Sequence, residues 1–197
     1  LESYRELFLF LFVATSIFLI GLFDDKYGLS ARDRSVLLIF LIFLFLYFEH
    51  DSQLNVIRIS FVDEKILLGQ SSIFFTTLCI FVLIVALNMF DGFNGQSFIN
   101  FLVILIFLSL KGLFQPVIYL LILLLFIFAY LNFRNKAYLG DSGVYFLGFL
   151  VSYLIIKVYK IEQSIYAEEI IIILLIPIVD MVRLFIYRIY NGKNPFL

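Results

Sequence analysis

Seven stretches of the chain are almost wholly apolar, and the polar residues are pushed into the gaps between them. They run approximately 6–23, 34–48, 72–90, 98–111, 117–131, 144–159 and 170–187. Crossing the hydrocarbon of a bilayer takes about 20 mostly apolar residues in a helix, because no water is there to satisfy an open backbone. The pattern predicts an all-α, polytopic transmembrane helical bundle of about seven spans. The second and fourth stretches are short, as a tilted, locally thinned or re-entrant segment would be. The first opens on Glu2, Arg5 and Glu6 and ends on Asp24-Asp25, which reads as a true span and not as a cleaved signal sequence. With no internal repeat and no low-complexity linker, residues 1–197 read as a single integral-membrane domain.

The longest polar interruption, 49–71, alternates in a strand-like way over 55–62, and 63–65 could turn it back toward 66–68. A small extracytoplasmic β-hairpin fits, and so does an irregular loop.

Composition sharpens this reading. The chain is 63% apolar and 15% charged, against about 45–50% and about 25% in an ordinary soluble domain. Its mean hydropathy is +1.09, which excludes a water-soluble globule. Fourteen Lys and Arg against fifteen Asp and Glu leave a net charge of −1, with no electrostatic footprint for nucleic acid. Cys79 and His50 are each the sole residue of their type. That excludes an intrachain disulfide and a thiolate cage, so any metal site must be built from oxygen ligands.

If seven spans alternate, the Gly-, Asn- and Asp-rich clusters fall on one face of the membrane. These are 23–26, 88–95, 139–143 and 180–195. The opposite face carries Glu49, Asp51, Asp63, Glu64, Glu162, Glu168 and Glu169 in no such context, as solvated loop charges. Eight of the 14 cations lie on the motif side, a lean toward the cytoplasm.

Each cluster has a chemical and a plain structural reading. Asp24 and Asp25 end the first span, where a carboxylate needs a cation or a metal for company. Adjacent side chains on a helix point about 100° apart, so the two would divide their labour; alternatively they are a helix stop beside Lys26. Asn88 and Asp91 share a helix face, and Gly92 releases a turn that Asn94 and Gly95 complete. Such a turn can present amides and a side-chain oxygen to a diphosphate, or simply end a helix. Asp141, between Gly140 and Gly143, is an N-cap or a carboxylate brought close to a ligand. Asp180 can pair with Arg183 on one face beside a kink at Pro177. Arg188, Lys193 and 134–136 can meet lipid headgroups or substrate phosphates.

In order, spacing and common side, Phe23-Asp24-Asp25 with 28–30, then 88–95, then 139–143, then Pro177 to Asp180 with Arg188 and 192–196, resemble the polyprenyl-phosphate N-acetylhexosamine-1-phosphate transferase family. The resemblance covers nearly the whole chain. It implies transfer of a sugar 1-phosphate from a UDP-N-acetylhexosamine to a polyprenyl (undecaprenyl) phosphate at the cytoplasmic face of the bacterial inner membrane. UMP is released, Mg²⁺ or Mn²⁺ is the cofactor, and the product starts a cell-envelope polysaccharide or peptidoglycan lipid intermediate. Carried over by motif, Asp24 and Asp25 are the catalytic pair, and Asp141 is a metal ligand. Asn94 is a second ligand or a diphosphate contact, and Asn88, Asp91, Gly92, Gly95 and Arg188 bind substrate. A homodimer is left open.

Members of that family have further spans at the start and a histidine cluster shortly after the Pro-Phe that here stands at Pro195-Phe196. The chain therefore reads as part of such an enzyme. Two other classes compete: a transporter or channel with intramembrane acidic residues, and an inactive fragment serving as a scaffold. A transporter predicts carboxylates near the bilayer midplane, whereas here they gather at helix ends.

Overall fold

The computed structural model describes residues 2–62, 64–93, 95–112, 115–162 and 165–192. Among these residues eight α-helices follow one another: α1 (Glu2–Tyr27), α2 (Ala31–Phe48), α3 (Ser72–Phe90), α4 (Gln96–Leu110), α5 (Gln115–Phe133), α6 (Gly140–Ile161), α7 (Ala167–Ile173) and α8 (Leu175–Tyr190). Two short strands, β1 (Val56–Ile57) and β2 (Ile66–Leu67), lie between α2 and α3.

All seven apolar stretches become helical, but fewer than seven have the build of a membrane span. Among the described residues α1, α3, α5 and α6 are long and apolar enough to cross, and the bent pair α7–α8 makes a fifth if it is one span. Two physical features account for the shortfall from seven. Helix α2 has 18 residues but opens on Arg32 and Asp33 with Arg34, and α4 has only 15 residues. At 1.5 Å per residue α4 reaches about 22 Å, short of a hydrocarbon core of about 30 Å.

The last apolar stretch is also broken, and not where the proline stands. Helices α7 and α8 meet at 66°, with Leu174 between them. Pro177 has no N–H to offer the carbonyl four residues back and its ring crowds that carbonyl, so the break falls upstream. Pro177 itself sits in the first turn of α8, where a missing N–H costs nothing.

The expected hairpin contracts to a two-residue antiparallel ladder pairing Val56 with Leu67 and Ile57 with Ile66. Its main use is as an anchor. The Arg58 guanidinium donates to the carbonyls of Tyr159, Glu162 and Ile165 and lies 4.1 Å from the Tyr159 ring centroid. The Ala167 N–H returns to Arg58 O at 2.8 Å.

Side-chain bridges mark this hairpin end of the bundle. Arg5 donates to Phe48 O at 2.7 Å, Lys160 donates to Asp51 O at 2.7 Å, Lys157 pairs with Glu6, and Lys111 pairs with Glu169 at 2.9 Å. They join the start of α1 to the ends of α2 and α6, and the end of α4 to α7. Helices α1 to α6 therefore alternate in direction. The end of α1, start of α2, end of α3, start of α4, end of α5 and start of α6 share the other end. Helix α6, 22 residues long, separates the two by about 33 Å.

Helices α3 and α6 lie at the centre. On one side Phe10, Phe45 and Phe149 interlock, with Phe149 centroids 5.5 Å from Phe10 and 5.4 Å from Phe45. On the other, Phe101, Ile104 and Leu108 of α4 and Leu125 and Ala129 of α5 close on Val151 and Leu154. The outward faces are apolar too, with Leu120, Leu123, Phe126 and Ile127 of α5 exposed, as lipid contact requires. At Gly21 the α1 and α6 backbones touch: a Cβ there would stand 2.3 Å from the Ser142 Cα. No larger residue would let the aspartates at the end of α1 reach the start of α6.

Candidate functional site

Two adjacent carboxylates at the end of α1 take different partners. Asp24 is buried, 6% exposed. One of its oxygens accepts the Leu29 N–H at 2.9 Å; the other accepts Arg34 Nη1 at 3.2 Å and the Tyr145 hydroxyl at 3.0 Å. It thus ties the α1–α2 turn to α2 and α6. The turn itself is short because Gly28 N–H closes on Asp24 O at 2.8 Å, and Ser30 caps α2 by accepting the Asp33 N–H at 3.1 Å.

Asp25 is exposed and faces α6 end-on. Its oxygens accept the backbone N–H groups of Asp141 at 2.8 Å and Ser142 at 3.1 Å. A carboxylate is well placed there, since the first N–H groups of a helix have no partner of their own and carry partial positive charge. Gly140 makes the approach possible: its φ is +64°, and a Cβ would come within 2.8 Å of Asp25 Oδ2. The Asp141 carboxyl lies near those of Asp24 and Asp25 and near the Arg34 guanidinium. Three carboxylates and one guanidinium are therefore gathered from positions up to 117 residues apart.

The α3–α4 turn lies at the same end. Asn88 lines a small cavity of about 20 Å³ with Arg34, Ser35 and Tyr145, which puts it beside the Asp24 cluster. Asp91 caps the end of α3 and accepts the Ser97 hydroxyl. Burial pushes the Asp91 carboxyl up from its ordinary range, and the Ser97 hydrogen bond pulls against that. Gly92 and Phe93 are exposed at the tip of the turn. Gly95 is buried at the start of α4, where its N–H donates to Asn132 Oδ1 at 2.8 Å. Asn94 lies outside the described residues. Arg188 stands in the last turn of α8, and Asp180 pairs with Arg183 at 2.7 Å on its own helix.

Sequence reasoning missed four residues that hold this end together: Arg34, Ser97, Asn132 and Tyr145. A signal existed for Asn132, an amide near the end of the apolar α5, since a buried polar group must find a partner.

The donors present are all oxygens, which suits a hard cation. Among the described residues no group of three or more His, Cys, Asp or Glu side chains is arranged to hold a metal ion. Mg²⁺ does not need such a cage, for it is commonly held by one or two carboxylates with water and substrate phosphates. Asp141, beside two further carboxylates, fits that pattern.

An acidic cluster beside a glycine-containing turn thus stands at one end of an apolar helical bundle. Residues 7–159 match the sequence profile of glycosyl transferase family 4, and the chain belongs to that family. It is similar to the undecaprenyl-phosphate alpha-N-acetylglucosaminyl 1-phosphate transferase of Salmonella typhi, 26% identical over 97% of this chain and 55% of the relative. The Escherichia coli K12 protein of the same name is 27% identical over 95% of this chain and 54% of its own length. A probable undecaprenyl-phosphate N-acetylglucosaminyl 1-phosphate transferase of Bacillus subtilis is 30% identical over 91% and 51%. The chain spans about half the length of these relatives.

Proposed function

We propose that the protein transfers an N-acetylhexosamine 1-phosphate from a UDP-sugar to undecaprenyl phosphate at the cytoplasmic face of the bacterial inner membrane, releasing UMP. The observation that carries this reading is the lock between Asp25 and the backbone of Asp141 and Ser142. It joins the paired aspartates of α1 to the Gly-flanked aspartate of α6, gathering carboxylates for a divalent cation that would screen the phosphates of two substrates.

In this reaction a lipid-phosphate oxygen forms a bond to the β-phosphorus of the UDP-sugar, and the bond from that phosphorus to the bridging oxygen breaks, so that UMP leaves. Phosphoryl transfer asks a protein mainly for positioning and charge neutralisation. Asp141 would hold Mg²⁺ or Mn²⁺, with Asn94 as the second candidate ligand. Such an ion supplies screening between two anionic partners and Lewis-acid polarisation of the diphosphate. Asp25, exposed, is the member of the pair that a lipid phosphate can reach and orient on. Asp24, enclosed by Arg34, Tyr145 and the Leu29 N–H, holds the floor of the site. Asn88, Asp91 and the Gly92–Gly95 turn take the nucleotide side, and Arg188 takes a phosphate.

Asp141→Asn in the full-length protein tests the reading. With UDP-N-acetylglucosamine and undecaprenyl phosphate in membranes, UMP release should fall by about 10²-fold or more. A chelator should abolish the wild-type activity and added Mg²⁺ restore it. Unchanged turnover in the variant rejects the assignment.

A further inference from the structure

One buried amide joins the two loops that carry the candidate site. Asn132 is 5% exposed at the end of α5. Its Oδ1 accepts the Gly95 N–H at 2.8 Å, and its Nδ2 donates to Ala137 O at 2.9 Å. The next residue completes the grip, because a Cβ on Gly95 would meet the Phe133 ring at 2.7 Å. The backbone after α5 folds over to make this possible: Lys136 N–H reaches back to Leu131 O at 2.9 Å, and Asn135 takes the left-handed conformation, φ 55°, that ends many helices.

The contacts run outward from Asn132 in both directions. Toward one side, Gly95 begins α4, whose Ser97 hydroxyl holds Asp91. Toward the other, Ala137 stands three residues before Gly140, which lies against Asp25. The amide thus fixes the Asp91 turn relative to Asp141, although it is not among the groups expected to touch substrate. The geometry also dictates its chemistry. The residue must accept from one backbone and donate to another at the same depth, which Asn does and an aliphatic or anionic side chain does not.

We infer that Asn132 is a positioning residue, which sets the nucleotide-side turn against the Asp25–Asp141 lock so that the two phosphate-bearing substrates meet in line. This rests on the function proposed above. Misplacement of reacting groups by about 1 Å costs on the order of 10²-fold in rate, so the effect belongs in turnover and not in substrate affinity.

The test uses the full-length protein with UDP-N-acetylglucosamine and undecaprenyl phosphate, comparing Asn132→Leu and Asn132→Asp with wild type from pH 8.5 to pH 6. Asn132→Leu should lower kcat about 10²-fold with KM for the UDP-sugar within about threefold, at every pH. Asn132→Asp is isosteric and regains a donor when protonated, so its activity relative to wild type should rise at least about tenfold as the pH falls. An active wild type with Asn132→Leu turnover within threefold, or a flat Asn132→Asp ratio, overturns the inference alone. So does failure of both variants to yield folded protein, because a clip required by the fold itself is not a positioning device. A wild type that releases no UMP overturns the functional reading, and this inference with it.

Discussion

Gly140→Ala should damage the site through a single methyl group, and its cost can be worked from the geometry. Two penalties apply. Alanine at φ +64° costs about 1–2 kcal/mol, because Cβ crowds the following carbonyl in the left-handed region. The new methyl would also stand 2.8 Å and 3.1 Å from the two Asp25 oxygens, so the carboxylate must retreat. Its hydrogen bonds to Asp141 and Ser142 then lengthen, a loss of about 1 kcal/mol on the scale of an N-cap. The sum is about 2–3 kcal/mol. The diagnostic part is the second penalty, which exists only while Asp25 is present. Asp25→Ala alone should cost about 1–2 kcal/mol, and the double variant should be about 1 kcal/mol less destabilised than the sum of the singles. Thermal unfolding of detergent-purified protein gives the four stabilities, and hydrogen exchange at Asp141 and Ser142 gives the local effect. Strictly additive single effects, or unchanged amide protection in Asp25→Ala, would refute the claim that this carboxylate caps α6.

Three further outcomes are expected. Tyr145→Phe removes one donor from a buried carboxylate and should cost about 1.5–2 kcal/mol in the same unfolding assay, and a neutral result would show that the Tyr145–Asp24 bond is not formed. Arg58→Met leaves the Tyr159, Glu162 and Ile165 carbonyls without their guanidinium, at about 2–3 kcal/mol; amide exchange should quicken from the end of α6 to Leu174 while the α6 start stays protected. Single cysteines replacing Lys26, Phe93 and Lys136 should all react with an impermeant thiol reagent added from the cytoplasmic side, and labelling of any one from outside would break the topology.

Much of the architecture could be read before any coordinates. A chain this apolar has nowhere to hide its surface but lipid, and the charges left to it had to collect at helix ends. That reasoning located the helical stretches to within a few residues, with α7 and α8 read as one, and placed the first three motif clusters at one end of the bundle, where Asp24, Asp25, Asn88, Asp91 and Asp141 stand. It also showed that Asp180 and Arg183 could pair on their own helix. It failed where length and composition pulled apart, as in α2 and α4, and where one proline broke a helix upstream of itself.

What the sequence determined by itself was set by transfer energies and by local backbone chemistry. These act on each segment in isolation, so periodicity, glycine and proline suffice to read them. Which group each side chain meets was decided only by the tertiary structure. Asp25 finds its donors 116 and 117 residues away, and Asn132 spans two loops. Asp24 takes its place because the α1 and α6 backbones touch at Gly21. Such pairings depend on how helices cross, and crossing is fixed by the packing of all the faces together, a property no single segment carries.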